Sequence, residues 1–245
     1  MQKKCVLNLY ANKSEKSVFR GMVIPTLRTL DLIAGHSDKI RLASNGKIIV
    51  ESEKSSIVHR AVRAIFLEID FRKFHLLEKV RDHKSLTRAE IYLCMAGNHP
   101  VDRGLKERVD SWLSILEDAS LAKEDQEMVK IVTENYQKAM EDLCVEKKEK
   151  MFVNTLLACF HSFNRYGTTG MIDIVDLRTS VALEYLRKEQ MILTEAQFDE
   201  LLRRVPKTSD SYIITFGQPM GAEERLFVFR GNYYRTINIK SIRGA

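Results

Sequence analysis

Cysteine, proline, glycine and tryptophan are all scarce in this chain: its 245 residues hold 4, 4, 11 and 1 of them respectively. The four cysteines (Cys5, Cys94, Cys144, Cys159) lie far apart, without C-x-x-C or Cys/His ligand spacing. That argues against a disulfide framework or a zinc ribbon and for reduced thiols in a cytoplasmic protein. Little Pro and Gly, with no low-complexity run, argues for a folded chain. No stretch approaches the roughly 18 to 20 uncharged apolar residues of a membrane span, so no membrane partner is expected. Val6 to Tyr10 is too short for a signal-peptide core and is followed at once by Lys13 and Lys16. Neither G-x-x-x-x-G-K-S/T nor G-x-G-x-x-G occurs, so nucleotide hydrolysis has no support. The six histidines (His36, His59, His75, His83, His99, His161) form no i,i+4 pair with a nearby glutamate at metal-binding spacing. No cofactor and no metal are expected.

What is present is helix-forming composition and a concentrated positive charge. Leu, Lys, Arg, Glu and Ala dominate, and 44% of residues are apolar, enough for one core or two to three small ones. Up to Val50 there are nine Lys/Arg (Lys3, Lys4, Lys13, Lys16, Arg20, Arg28, Lys39, Arg41, Lys47) against Glu15, Asp31 and Asp38. That net +6 equals the charge of the whole chain, so the remaining residues sum to zero. A localised positive field is what phosphate neutralisation needs.

The patterning predicts a mainly α protein with small β-sheets (α+β), built from tandem winged-helix or helix-turn-helix units. An N-terminal unit covers 1–67. In it Phe19, Met22, Val23, Leu27, Leu30, Leu32 and Ile33 have helical spacing, with Pro25 as a kink or start and Gly35 as the stop. Lys39-Ile40-Arg41-Leu42 alternates like a half-buried strand, and Asn45-Gly46 is a strong turn dipeptide. Lys47-Ile48-Ile49-Val50 reads equally as a returning strand or as the start of a helix running through Ile57, Val58, Val62, Ile65 and Phe66.

A middle helix-turn-helix unit covers 68–125. Phe71, Phe74 and Leu77 mark a first helix and Thr87 to Glu90 a capping box. Leu105, Val109, Trp112, Leu113 and Leu116 mark a third helix. Residues 126–150 read as a connecting helix whose charged end, Glu146 to Lys150, is a solvated face. The C-terminal unit, 151–245, has helical stripes at Val153–Phe163 and Val175–Leu186. A capping signal at Thr194–Gln197 precedes a helix that Pro206 stops. Three aromatic strands follow: Tyr212–Phe216, Leu226–Phe229 and Tyr233–Ile239.

Two stretches carry a family likeness. Phe19-Arg20-Gly21-Met22-Val23-Ile24-Pro25-Thr26-Leu27-Arg28-Thr29-Leu30-Asp31-Leu32-Ile33, with Asp38 to Leu42 and Asn45-Gly46-Lys47, resembles the winged-helix recognition modules of type IIS restriction endonucleases and related prokaryotic defence proteins. Ile174 to Arg178, Phe198 to Leu202 and the aromatic strands are similar to C-terminal winged-helix units of multidomain DNA-associated proteins. The resemblance implies three subdomains, the first two nearest DNA and the last often making protein contacts, while no cleavage domain is evident.

These readings give a non-enzymatic double-stranded DNA-binding protein, acting in target recognition within a restriction or defence system or in transcriptional or replication control. Arg20, Thr26, Arg28 and Thr29 would face the groove or phosphates, and Lys39, Arg41 and Lys47 would grip the backbone. A partner protein or a second copy could dock on the C-terminal unit. The alternative is a winged-helix adaptor that docks a partner enzyme. Pro100-Val101-Asp102 and Glu68-Ile69-Asp70 with Lys73 hold the letters of a nuclease site but read as surface and capping carboxylates. Phe216, Phe227, Phe229, Tyr233 and Tyr234, interleaved with Arg225, Arg230, Arg235 and Lys240, read as a sheet core or as a stacking platform for single strands.

Overall fold

The structure is a computed structural model describing residues 23–35, 40–52, 54–164, 170–219 and 225–242. In chain order it contains α1 (Ile24–Thr29), β1 (Ile33–Ala34), β2 (Arg41–Leu42), α2 (Ser44–Glu51) and α3 (Ser55–Ile69), which runs into a π turn, Asp70–Phe74. Then come α4 (Leu76–His83), β3 (Leu86–Thr87), α5 (Arg88–Ala96), α6 (Arg103–Asp118), β4 (Ala122–Asp125), β5 (Met128–Ile131), α7 (Thr133–Asp142) and α8 (Glu146–Asn164). Last are β6 (Ile172–Asp173), α9 (Ile174–Glu189), α10 (Glu195–Arg204), β7 (Tyr212–Gly217), β8 (Phe227–Phe229), β9 (Asn232–Tyr234) and β10 (Thr236–Ser241). The protein is mostly helical with small antiparallel sheets, the expected α+β class.

Two compact units divide the chain, and neither is continuous in sequence. The first gathers the residues up to Lys47, Leu157–Ser180 and those from Pro206 onward; the second gathers Ile48–Leu156 and Val181–Val205.

In the first unit, β10 pairs with β7 over six residues and with β6 on its other edge. Tyr212, Ile214, Ile237 and Ile239 are buried while Ile213, Thr215 and Lys240 are exposed, the alternation that a half-covered sheet requires. Phe19 and Met22 of the expected N-terminal helix lie outside the described residues, and its other end comes earlier than the apolar spacing implied. It stops at Thr29, Asp31 takes the left-handed conformation (φ 54°), and Ile33–Ala34 pair with Arg41–Leu42 as β1 and β2. Gly35 is therefore no helix stop; it follows β1, also at positive φ.

Asn45-Gly46 makes no turn, and Lys47–Val50 form no returning strand. Both lie in α2. Asn45 and Gly46 are buried, and a Cβ at Gly46 would stand 2.1 Å from the Leu32 carbonyl oxygen. The glycine marks a close backbone approach, which a turn signal cannot be told from in sequence.

In the second unit, one face of α3 (Ala61, Ala64, Ile65, Leu67) is fully buried. At its end the π turn sets the Asp70 carboxylate against the start of α4, where it accepts the amides of Leu76 and Leu77 at 3.2 and 2.9 Å. Asp70 also accepts the indole N–H of Trp112 at 2.7 Å, and Phe74 stacks on that indole at 4.3 Å. His75, left-handed at φ 55°, ends the π turn, so the single helix expected through Phe71, Phe74 and Leu77 is broken there. Thr87 and Thr194 both form the expected capping boxes, opening α5 and α10.

Residues 126–150 form no single connecting helix. They hold the end of the β4–β5 hairpin, all of α7 and the start of α8. The charged run within α8 is not wholly solvated either: Lys148 is only 2% exposed. It donates to the Asp142 carbonyl at 2.5 Å and to Gln197 Oε1 at 2.7 Å, while the Tyr185 hydroxyl donates to its carbonyl at 2.7 Å. Val145, Lys148, Phe152 and Leu156 share one buried helical stripe, and a lysine enters it because its ammonium finds oxygen partners.

Candidate nucleic-acid interface

Of the cationic and hydroxyl residues expected to meet DNA, Arg20 and Lys39 lie outside the described residues. Thr26 and Thr29 are exposed on α1 and Arg41 is exposed on β2. Arg28 is half-buried, its guanidinium donating to the Gly35 carbonyl at 2.6 Å, so part of its hydrogen-bonding capacity closes the loop after α1. Lys47 is half-buried within α2 rather than on a β-wing. The described part of α1 is six residues, Ile24–Thr29, about 9 Å of helix.

A better-formed arrangement lies within the second unit, between Leu76 and Ile131. Its order is helix, short strand, two helices and a hairpin, closed by a three-stranded sheet in the order β3-β5-β4. Leu77, Val80, Ile91, Val109, Leu113, Leu116 and Val129 fill its interior. Asp102 caps α6 by accepting the Leu105 amide at 2.6 Å, the role expected of a capping carboxylate.

Periodicity then sorts the side chains of α6. Val109, Trp112, Leu113 and Leu116 point inward, whereas Arg103, Lys106, Glu107, Arg108, Ser111 and Ser114 are exposed. Lys106 lies 5.8 Å from the ring centre of Tyr92, and Arg103 pairs with Glu107 at 2.7 Å across one helical turn. Arg103 is 92% exposed in its side chain, so that pair is weak and readily exchanged for a phosphate.

Arg88 is differently placed. It is bound by Glu124 at 2.6 Å and Asp110 at 3.0 Å, and Asp110 also accepts the Tyr92 hydroxyl at 2.6 Å. These carboxylates keep its guanidinium protonated and fasten α5 and α6 to the hairpin. The hairpin itself is of mixed sign: Lys123, Glu124, Asp125 and Glu127 are exposed, and Lys130 pairs with Asp125 at 3.0 Å.

The nuclease letters do not assemble. Asp70 is a buried helix cap, and Glu68, also buried, accepts the Thr194 hydroxyl at 2.6 Å. Burial drives the Asp70 carboxyl above its ordinary range despite its three donors. Among the described residues no group of three or more His, Cys, Asp or Glu is placed to hold a metal. His59, His75, His83, His99 and His161 are exposed, and Cys159 is buried as its apolar stripe implies. No described helix is long and apolar enough to cross a membrane. Sequence reasoning missed the Arg88 cluster and the buried Lys148, since the side chains that receive their hydrogen bonds, Asp110, Glu124 and Gln197, lie 22 to 49 residues away.

Comparison with known proteins adds no relative: no family profile, curated protein or solved structure matches the chain.

Proposed function

We propose that this protein binds double-stranded DNA without performing chemistry on it, in target recognition or regulation. The observation that carries the reading is α6. It is a helix of 16 residues whose exposed face offers Arg103, Lys106, Arg108, Ser111 and Ser114, while its inner face is anchored in a three-helix core closed by a sheet. That order of elements is the one used by winged-helix DNA-binding modules, in which the third helix lies in the major groove. Arginine and lysine on such a helix reach phosphates or guanine edges, and serines reach either. The basic N-terminal fifty residues add the long-range field, with Thr26, Arg28, Thr29, Arg41 and Lys47 as backbone contacts beside Arg20 and Lys39.

The test is fluorescence anisotropy of a labelled duplex over a salt series. Affinity should fall steeply with salt, and Lys106→Ala or Arg108→Ala should each reduce the slope by about 1. Absence of duplex binding at low salt overturns the proposal. It would leave the adaptor reading, which the solvent-facing Leu93 on α5 (63% exposed) and the mixed charge of the hairpin favour.

A further inference from the structure

The outer side of α6 carries a carboxylate where a face that only met phosphates should have none. Arg103, Glu107, Ser111 and Ser114 are spaced i, i+4, i+8 and i+11, so they form one exposed stripe along the helix. It lies opposite the buried Val109, Trp112, Leu113 and Leu116, and the exposed Lys106 and Arg108 flank it on either side. Between Arg103 and Ser114 the helix holds two acidic residues, Glu107 and Asp110. Asp110 turns aside to Arg88 and the Tyr92 hydroxyl. Glu107 stays in the middle of the solvent face, its side chain 64% exposed.

Helix stability does not account for Glu107 and its partner. Arg103 is the first residue of α6, and the first turn holds no acidic residue. A cation there opposes the helix macrodipole, and arginine four residues ahead of glutamate is the less stabilising order of such a pair. In water the pair contributes little. On a duplex, moving Arg103 to a phosphate would leave the Glu107 carboxylate unpaired beside a polyanion, so a contact that keeps the pair is the better one. The geometry allows it. The 2.7 Å bond runs from Arg103 Nε to Glu107 Oε1, which leaves both terminal guanidinium nitrogens for other acceptors.

Those two nitrogens form a fork that matches O6 and N7, the acceptors guanine shows in the major groove. A carboxylate only accepts, so its match is a base edge that only donates. Guanine and thymine present acceptors there, adenine a donor beside an acceptor, and cytosine its amine alone. Because the two side chains touch, the bases they meet lie in one base pair or in adjoining pairs. We infer that Arg103 and Glu107 together read a guanine and a cytosine side by side in duplex DNA. Arg103 donates to the guanine and Glu107 accepts from the cytosine amine, while Lys106 and Arg108 hold the phosphates on either side. This rests on the duplex reading of α6 and adds the sequence class that the helix selects. Glu107 then sets specificity and adds nothing to non-specific affinity.

The experiment presents the full chain with a library of duplexes whose central base pairs are randomised, and sequences the fraction bound at low salt. The parent should enrich guanine and cytosine at the same or adjoining pairs. Glu107→Gln should exchange the enriched cytosine for adenine, whose N6 and N7 suit a glutamine amide. On a labelled duplex of the enriched sequence, Arg103→Ala should lower the preference over a scrambled duplex about tenfold. Circular dichroism and thermal melting should match the parent for both variants, since both side chains are exposed. No enrichment, or enrichment lacking guanine and cytosine, overturns the inference. So does Glu107→Gln selecting the parent's sequence while binding every duplex more tightly, because the carboxylate would then only repel phosphates. The α6 reading survives those outcomes if Lys106→Ala still lowers the salt slope, whereas no duplex binding at low salt removes both.

Discussion

A methyl group added to Gly46 would sit 2.1 Å from the Leu32 carbonyl oxygen, an atom that also accepts the Ala43 amide at 2.9 Å. Backbone cannot swing aside as a side-chain end can, so Gly46→Ala should destabilise the protein by about 2 kcal/mol in urea unfolding. Asp70 is a second residue whose surroundings decide its behaviour. Its carboxylate accepts two helix amides and the Trp112 indole, so Asp70→Ala orphans three donors and should cost about 3 kcal/mol. Because burial raises its native pKa, the folded state binds a proton more readily than the unfolded one. The stability that comes from this preferential protonation is thus present below the ordinary carboxylate range and is lost as pH rises through the raised native value. Asp70→Asn should flatten that part of the stability–pH curve. Lys148 behaves in the opposite sense to an ion-paired lysine. Burial pushes its ammonium down to about 8, so the folded state releases the proton first. Stability should therefore rise as pH climbs from about 8 toward the ordinary lysine value, and Lys148→Met should remove that rise.

The two capping boxes look alike in sequence yet differ in surroundings. Thr87, half-buried, opens α5 with Glu90 closing the box. Thr194, fully buried, opens α10 and in addition donates to the buried Glu68. Thr87→Ala should cost about 1 kcal/mol in thermal unfolding, whereas Thr194→Ala should cost about 2 kcal/mol or more because Glu68 loses a donor inside the protein. Elements of this kind were legible because their causes are local. The caps need only three residues, and the inner stripe of α6 needs only helical periodicity. Elements whose causes are distant were not. The break at His75 exists because Asp70 turns back to cap α4 and hold Trp112, 42 residues on. Asn45-Gly46 has the letters of a turn and enters a helix because Leu32 passes close by.

At the scale of the whole molecule, the chain's charge is concentrated before Val50 while the best-formed candidate recognition helix lies between Arg103 and Asp118. If both act on DNA, the salt slope of duplex binding should exceed what α6 alone supplies. Removing residues 1–22, which hold Lys3, Lys4, Lys13, Lys16 and Arg20, should lower the slope by as many as about 4 to 5 without altering sequence preference. An unchanged slope would assign phosphate capture to α6 and its neighbours. Composition and periodicity determined the α+β class, the inner faces of the longer helices, the caps and the uneven charge, because each follows from residues near one another in sequence. Tertiary structure alone decided which charges are free. Arg88, Arg178 and Arg225 carry the same letter as Arg108, yet each is engaged within the fold, by carboxylates or by a backbone carbonyl, and Lys148 is buried in a run of exposed charges. A side chain's charge is written in the sequence, but its availability depends on partners that only folding brings within reach.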